Sequence, residues 1–151
     1  MRINYTTYDI RRDSDTITTT HPNIMLLANE DLSEGIHPYW YAGVIKIFHV
    51  NVMDCASTAR EYHRMDVLWV RWYGQDTDSM RGWEEKRLLR VGYVEGPEYG
   101  FGFVDPSEVI RGCYLLPLRE FSYTTNLLSP PSSLASDDPV KGDFPFYNII
   151  Q

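Results

Sequence analysis

Residues 37–52 read HPYWYAGVIKIFHVNV, and this stretch decides the fold class. It is dense in aromatic and β-branched residues, which favour strands. Apolar side chains occupy both parities of the alternation from Tyr39 to Val52. Both faces of this predicted strand are therefore expected to be partly buried, as in the central strand of a barrel. Gly43 lies inside it, where a glycine indicates a bulge or a close backbone approach.

A second strand is predicted for Met65–Tyr73, which reads MDVLWVRWY. Leu68, Val70 and Trp72 share one face of that strand, and the intervening residues share the other. Between the two strands, Met53–His63 is a predicted polar loop.

Weaker signals fill the rest of the chain. Asp105, Pro106 and Glu108 resemble the start of a helical turn, with Asp105 as the N-cap, Pro106 at the first helical position and Glu108 completing a capping box. The other predicted elements are a strand at Asn23–Leu27, a short helix or strand at Trp83–Arg90, one short strand within Val91–Phe103 and a final strand at Ile110–Leu118.

Short strands with turn signals between them predict a mainly β chain folded as a small, partly open β-barrel of the SH3-like type with a few short helical turns. With 151 residues, a single domain is expected. Its core is predicted at about 37–119, with 1–36 as an N-terminal extension and 120–151 as a wrapping C-terminal tail. The apolar segment Phe144–Ile150 is expected to dock on the body. Were it an edge strand lacking a neighbour, it would be a site for homodimerisation.

Charge is unevenly distributed along the chain. The net charge is −7, and residues 37–119 contribute only −1, so the acidity lies in the two ends. This sign opposes nucleic acid in bulk and suits a basic partner. The N-terminus has no apolar signal segment and no stretch is long enough to span a membrane, so an intracellular protein is expected. Cys55 and Cys113 are interpreted as reduced thiols, with Cys113 buried.

No motif for catalysis, metal binding or cofactor binding stands out. The four histidines lack the spacing of a zinc helix motif, and neither cysteine lies in a CxxC pair. A histidine in a strand, such as His49, is more often a half-buried structural residue than a ligand or a base. We therefore expect no enzyme, no cofactor and no metal. An active site assembled from scattered residues, with His49 or His63 against a carboxylate, is the open alternative.

Three segments in order resemble the bromo-adjacent homology (BAH) domain of chromatin proteins, most closely the version in the large origin-recognition subunit. They are His37–Phe48, Val67–Tyr73 and Asp105–Leu118, which carry Pro-Tyr before an Ala-containing strand, Arg-Trp-aromatic at a strand end, and an acidic turn before Ile-x-Gly. Through Tyr5–Asp13, His37–Ala42 and Trp69–Trp72, most of the chain also resembles uncharacterised proteins of mushroom-forming fungi, many encoded beside transposase-like genes. The resemblance implies a nuclear, chromatin- or transposon-associated module that binds a protein or a histone tail.

The resemblance also implies an aromatic cage for a methylated lysine, with an acidic residue at its rim. Position by position it points to Tyr39, Trp72 and Tyr93 for the cage and to Asp78 for the rim. Two alternatives stay open. Trp72 shares a face with Leu68 and Val70, so it could belong to the core. Tyr39 could only pack where the strand begins.

A second candidate surface is basic, with an aromatic residue inside it. It comprises Arg81, Trp83, Lys86, Arg87 and Arg90. Cations interleaved with an aromatic ring can hold phosphates and stack a base, which makes nucleic-acid binding the alternative function. The competing interpretation is a solvated charged face, balanced locally by Glu84 and Glu85.

Overall fold

A computed structural model describes residues 1–6, 12–17, 22–28, 37–55, 61–77, 87–96, 98–127, 135 and 142–150. Within them the protein is mainly β, and its helical structure is a single 3-10 turn, Pro106–Glu108. The strands are β1 (Arg2–Thr6), β2 (Arg12–Thr16), β3 (Asn23–Leu27), β4 (Tyr39–Met53), β5 (Tyr62–Gln75), β6 (Arg90–Tyr93), β7 (Phe101–Val104), β8 (Val109–Gly112), β9 (Tyr114–Pro117) and β10 (Tyr147–Ile150). The prediction of a β-rich fold is confirmed.

One antiparallel sheet organises the molecule. Its strands follow the order β8-β3-β4-β5-β6-β10-β9, with β7 pairing beside β5, while β1 and β2 form a separate hairpin. In the part of the chain that the structure describes the sheet is not closed, because β8 and β9 end it without pairing to each other.

The β4–β5 hairpin lies at the centre of the sheet, as the two strongest strand signals predict. Its register shifts between Val44 and Lys46, so Ile45 is the extra residue of a bulge. Gly43 serves the close approach expected of it, because a Cβ there would lie 3.3 Å from the Tyr73 hydroxyl and 3.5 Å from the Asn23 side-chain oxygen. Burial of both faces holds only for the first half of β4, since its second half is largely exposed.

Two hydrophobic clusters flank the sheet. Alternation along β5 sends Leu68 and Val70 into the first cluster and Tyr73 into the second. The core extends beyond residues 37–119 in both directions, because Ile3, Ile24 and Ile149 are all buried.

Three element boundaries differ from the predictions. The predicted loop at Met53–His63 is shorter, because β4 and β5 pair as far as Met53 and Tyr62. The region Val91–Phe103 contributes to two strands, β6 and β7, instead of one. The predicted strand Ile110–Leu118 is split in two at Cys113, where the chain leaves β3 and joins β10. Cys113 is buried, as expected, Cys55 is exposed, and the two are not joined by a disulfide.

The C-terminal segment docks on the body, as predicted. β10 pairs with β9 through all four of its residues and with β6 through Tyr147 and Asn148. The Ile149 N–H also donates to the Leu89 carbonyl at 3.0 Å. β10 thus has neighbours on both sides, so the premise for a homodimer through this segment, an edge strand without a neighbour, does not hold.

The turn before β8 has the predicted cap. The Asp105 carboxylate accepts a hydrogen bond from the Ser107 N–H at 2.8 Å, and Pro106 begins the 3-10 turn. This backbone hydrogen bond holds the pKa of Asp105 below its ordinary value.

We expect Asp105→Ala to lower the melting temperature at pH 7 and to have a smaller effect near pH 2. A carboxyl group whose pKa is lowered on folding stabilises the folded state. This contribution is complete when the pH is above the ordinary carboxyl pKa, and it is lost as the pH falls through the lowered value. Thermal melts of both proteins across pH 2–7 test this. An equal difference at every pH would contradict it, and Asp105→Asn, which keeps the cap, is the control.

Candidate functional site

A cleft of about 400 Å³ opens where β4 begins and β5 ends. Half of its twelve lining residues are Tyr or Trp. The lining comprises His37, Tyr39, Trp40, Tyr41, Trp72, Tyr73, Gly74, Gln75, Leu89, Val91, Val94 and Tyr99. Apart from the titratable His37, none of these described residues carries an ionisable charge at neutral pH.

The first wall comes from the start of β4. The His37 ring lies 5.8 Å from both the Tyr39 and the Tyr41 rings, measured between centroids. The Tyr39 N–H donates to His37 Nδ1 at 3.3 Å, which fixes the ring against the strand. The start of β4 therefore places three aromatic rings together on one face, with Tyr41 buried in the second core cluster.

Trp72 lines the cleft from the other face of the sheet, because its partner in the register is Ala42, whereas Tyr41 pairs with Tyr73. Its indole meets Trp40 edge to face, with ring centroids 5.8 Å apart. A Cβ on Gly102 would lie 2.6 Å from Trp72 Nε1, so only glycine leaves room for the indole in this position. Trp72 is half-buried and also packs against the first core cluster. It therefore packs with the core, one of the alternatives that the sequence left open, and it also lines the cleft.

The remaining predicted cage residue, Tyr93, lies behind the cleft and not among its described lining. Its ring stacks on Tyr73 with centroids 4.5 Å apart, and its hydroxyl accepts from the Tyr73 hydroxyl at 3.0 Å. The other face of Tyr93 is covered by Arg71, whose Cζ lies 3.4 Å from the ring centroid. Asp78, the predicted rim residue, lies outside the described residues.

Sequence reasoning missed four tyrosine and tryptophan residues of the cleft: Trp40, Tyr41, Tyr73 and Tyr99. The first three follow or pair with the predicted residues, so the strand register could have found them. Tyr99 comes from the turn before β7, whose position no local pattern indicates. It is 75% exposed, the most exposed large hydrophobic side chain among the described residues.

The basic candidate surface is only partly described, because Arg81, Trp83 and Lys86 lie outside the described residues. Arg87 is exposed. Arg90 forms an ion pair with Asp76, in which both Nε and Nη2 contact the same oxygen, Oδ2, and its guanidinium carbon lies 4.7 Å from the Phe146 ring centroid. Arg90 therefore connects β6 to Asp76 and Phe146, and its charge is already paired with that of Asp76.

A buried ion pair is the other feature that the sequence did not indicate. Arg71 Nη1 donates to Asp143 Oδ2 at 2.8 Å and to the Ala135 carbonyl at 2.8 Å. Both charged residues are about 2% exposed or less. The pair ties β5 to the segment before β10, so the Arg of the Arg-Trp-Tyr motif has a structural role.

Among the described residues no cluster of histidine, cysteine and carboxylate side chains could hold a metal ion. No helix in the same part of the chain is both long and apolar enough to cross a membrane. Comparison of the sequence with protein-family models and with curated proteins, and of the fold with solved structures, found no match. The cleft is therefore interpreted on its own chemistry.

Proposed function

We propose that this chain is a non-enzymatic interaction module that binds a cationic side chain of a protein partner in the aromatic cleft. A methylated lysine in a histone tail is the ligand class. The proposal includes a chromatin- or transposon-associated role in the nucleus. It also assigns the open sheet to a BAH-type, partly open barrel. The observation that carries it is the cleft lining, half of whose residues are Tyr or Trp, with Tyr39, Trp72 and Tyr99 among them.

Cation–π attraction is the force that such a lining supplies. A cation over a Tyr or Trp face gains about 0.5–2 kcal/mol per good contact, more when water is excluded. A methylated ammonium is weakly hydrated and gains from ring faces without needing a carboxylate. Tyr39, Trp72 and Tyr99 line the cleft from three separate elements, so different parts of the cleft each offer an aromatic ring to a ligand group.

Long-range charge favours the same partner. The chain carries −7, and residues 1–36 and 120–151 each contribute −3. A basic tail is therefore attracted to the protein before its side chain reaches the uncharged cleft. The net charge therefore increases the rate of association, whereas the aromatic rings determine the selectivity for the ammonium group.

The direct test is binding to histone-tail peptides carrying trimethyl-lysine, measured by fluorescence polarisation after a peptide array has identified the best sequence. We expect a neutral analogue, with a tert-butyl group in place of the trimethylammonium, to bind about tenfold more weakly or worse. Shape and apolar area are the same in the two ligands, so the difference reports the charge. No binding to any modified tail would refute the methyl-lysine function.

Tyr99→Ala is the variant of choice, because this side chain is exposed and its loss leaves the core intact. We expect it to weaken binding about threefold to tenfold. Tyr62→Ala is the matched control, since Tyr62 is 71% exposed and lies outside the cleft lining. Equal effects of the two variants would show that the peptide binds elsewhere.

Nucleic-acid binding through residues 81–90 receives less support from the described residues, because Arg90 is already paired with Asp76. Salt separates the two functions. Phosphate contacts make affinity fall steeply as salt rises, whereas cation–π binding changes less. A DNA complex that forms at low salt and is lost in Arg87→Ala would favour the nucleic-acid function.

A further inference from the structure

The outer part of the β4–β5 hairpin extends as a two-stranded arm, defined here as residues 46–53 and 62–67. β3 pairs with β4 only as far as Gly43, and β7 pairs with β5 only from Leu68 onward. Among the described residues, nothing else pairs with the arm. An isolated two-stranded ribbon is at best marginally stable in water, so an arm of this length needs a covering layer.

The arm is amphipathic across its two faces. Residues directly opposite in the register share a face, and one face carries the pairs Phe48–Val67, Val50–Met65 and Val52–His63. Phe103 of β7 extends this face and is 71% exposed, while Val50 and Met65 are 38% and 50% exposed. The other face carries His49, Asn51 and the exposed ion pair Arg64–Asp66 between the exposed Ile47 at its base and the pair Met53–Tyr62 at its tip. Along β4, only the first face is therefore apolar without interruption from Phe48 to Val52.

We infer that the apolar face of the arm binds the same face of a second copy of this chain, about a twofold axis at Val50. In a twofold contact each residue meets its symmetry mate or exchanges partners with it, so the patch must complement itself. Between Phe48 and Val52 this face holds no charged group, so no like charges come together there. An uncharged face offers no complementary charge to a charged foreign partner, so it favours a second copy of the same face.

Charges at the two ends of the face specify the orientation. Lys46 lies on this face at the base of the arm, four residues before Val50, and Asp54 comes directly after the end of β4, where the tip begins, four residues after Val50. An axis perpendicular to the strands at Val50 reverses β4 over its copy. It thereby places each Lys46 against the Asp54 of the other chain. Lys46, Asp54 and the neighbouring tip residue Glu61 are all exposed.

The same orientation separates the bodies of the two copies. Eight residues of β4 span roughly 27 Å, and reversal places the two bodies at opposite ends of the paired arms. Each body is acidic, so this separation limits their repulsion. The contact is smaller than a standard interface, so dissociation in the micromolar range is expected.

Sedimentation velocity of the full chain at about 1–100 µM tests the inference, with dimers expected at the upper end. Val50→Lys should give monomers at every concentration, because it places two ammonium groups together at the axis. Asn51→Lys is the matched control: it adds the same charge at the next position, on the other face, and should remain dimeric. Melting temperatures establish that both variants fold. A monomeric wild type, or dissociation of both variants, would overturn the inference.

A charge exchange tests the orientation separately. Lys46→Glu should weaken the dimer about fivefold. In each of the two symmetry-related contacts, a carboxylate at position 46 of one chain then faces the Asp54 carboxylate of the other chain. The double variant Lys46→Glu/Asp54→Lys should restore the wild-type affinity, since the pair is reversed in both contacts. Failure of the double variant to recover would rule out the antiparallel arrangement. Peptide binding in the cleft is expected to be unchanged in all these variants, so this test is independent of the proposed function.

Discussion

Replacing Asp143 with alanine is expected to lower the free energy of unfolding by about 3–5 kcal/mol. The substitution leaves the Arg71 guanidinium buried without its counter-charge. Among the described residues Arg71 Nη2 has no hydrogen-bond partner, so the remaining contacts are the Ala135 carbonyl and the Tyr93 ring. Neither can replace a carboxylate in a site from which water is excluded.

Urea unfolding of the variants measures this effect. The matched control is Arg64→Ala, which removes a cation from an ion pair of the same length, 2.8 Å, between side chains that are 65% and 56% exposed. An exposed pair contributes roughly 0–1 kcal/mol, so the control should lose little. The double variant Arg71→Met/Asp143→Leu should lose less than Asp143→Ala, because it leaves no buried charge. Equal losses for Asp143→Ala and Arg64→Ala would contradict the interpretation.

The buried ion pair also connects the C-terminal segment to the cleft. Arg71 covers one face of Tyr93, Tyr93 stacks on Tyr73, and Tyr73 lines the cleft. A cation already occupies the ring that the resemblance assigned to the cage. The internal cation–π contact between Arg71 and Tyr93 thus supports Tyr73, which lines the cleft where a second cation–π contact, with the ligand, is proposed.

The elements that could be predicted from sequence are those whose signal is local. β4 and β5 have long alternations of β-branched and aromatic residues, and Asp105 with Pro106 specifies a turn within three positions. The length of the arm was missed because its exposed half carries polar residues on one face, a pattern shared with loops. The break at Cys113 was missed because it arises where the chain stops pairing with β3 and starts pairing with β10. The local sequence does not indicate which strands will be its neighbours.

The site was predicted in part for the same physical reason. Tyr39 and Trp72 both line the cleft because they lie on strongly predicted strands that pair in a fixed register, although that register puts their side chains on opposite faces of the sheet. Tyr93 belongs to a short strand whose facing could not be known until β6 was paired with β5. Arg71 alternates with apolar neighbours, a pattern typical of a solvent-facing residue. Its partner lies 72 positions along the chain, and no local pattern can reveal a contact at that separation.

Ile149→Ala is expected to cost about 2–5 kcal/mol, whereas Ile150→Ala should cost less than about 1 kcal/mol. The two residues are adjacent in β10 and chemically identical, but Ile149 is 3% exposed and Ile150 is 40% exposed. Ile149 belongs to the second core cluster with Tyr73 and Val91, so its truncation leaves a cavity beside the cleft wall. At roughly 2–4 °C per kcal/mol for a chain of this size, the melting temperatures should separate clearly.

Deletion of residues 144–151 extends the same test to the whole segment. It removes buried Tyr147 and Ile149 and leaves β6 and β9 without the strand that joins them. Folding stabilities of single domains are about 5–15 kcal/mol, so the combined loss should abolish the cooperative melt or lower its midpoint by more than Ile149→Ala does. An unchanged midpoint, with the segment readily cleaved by protease in the intact protein, would show that β10 is not part of the folded body. Loss of the melt in the deletion together with equal effects of the two isoleucine variants would instead show that β10 acts through its backbone pairing, not through the burial of Ile149.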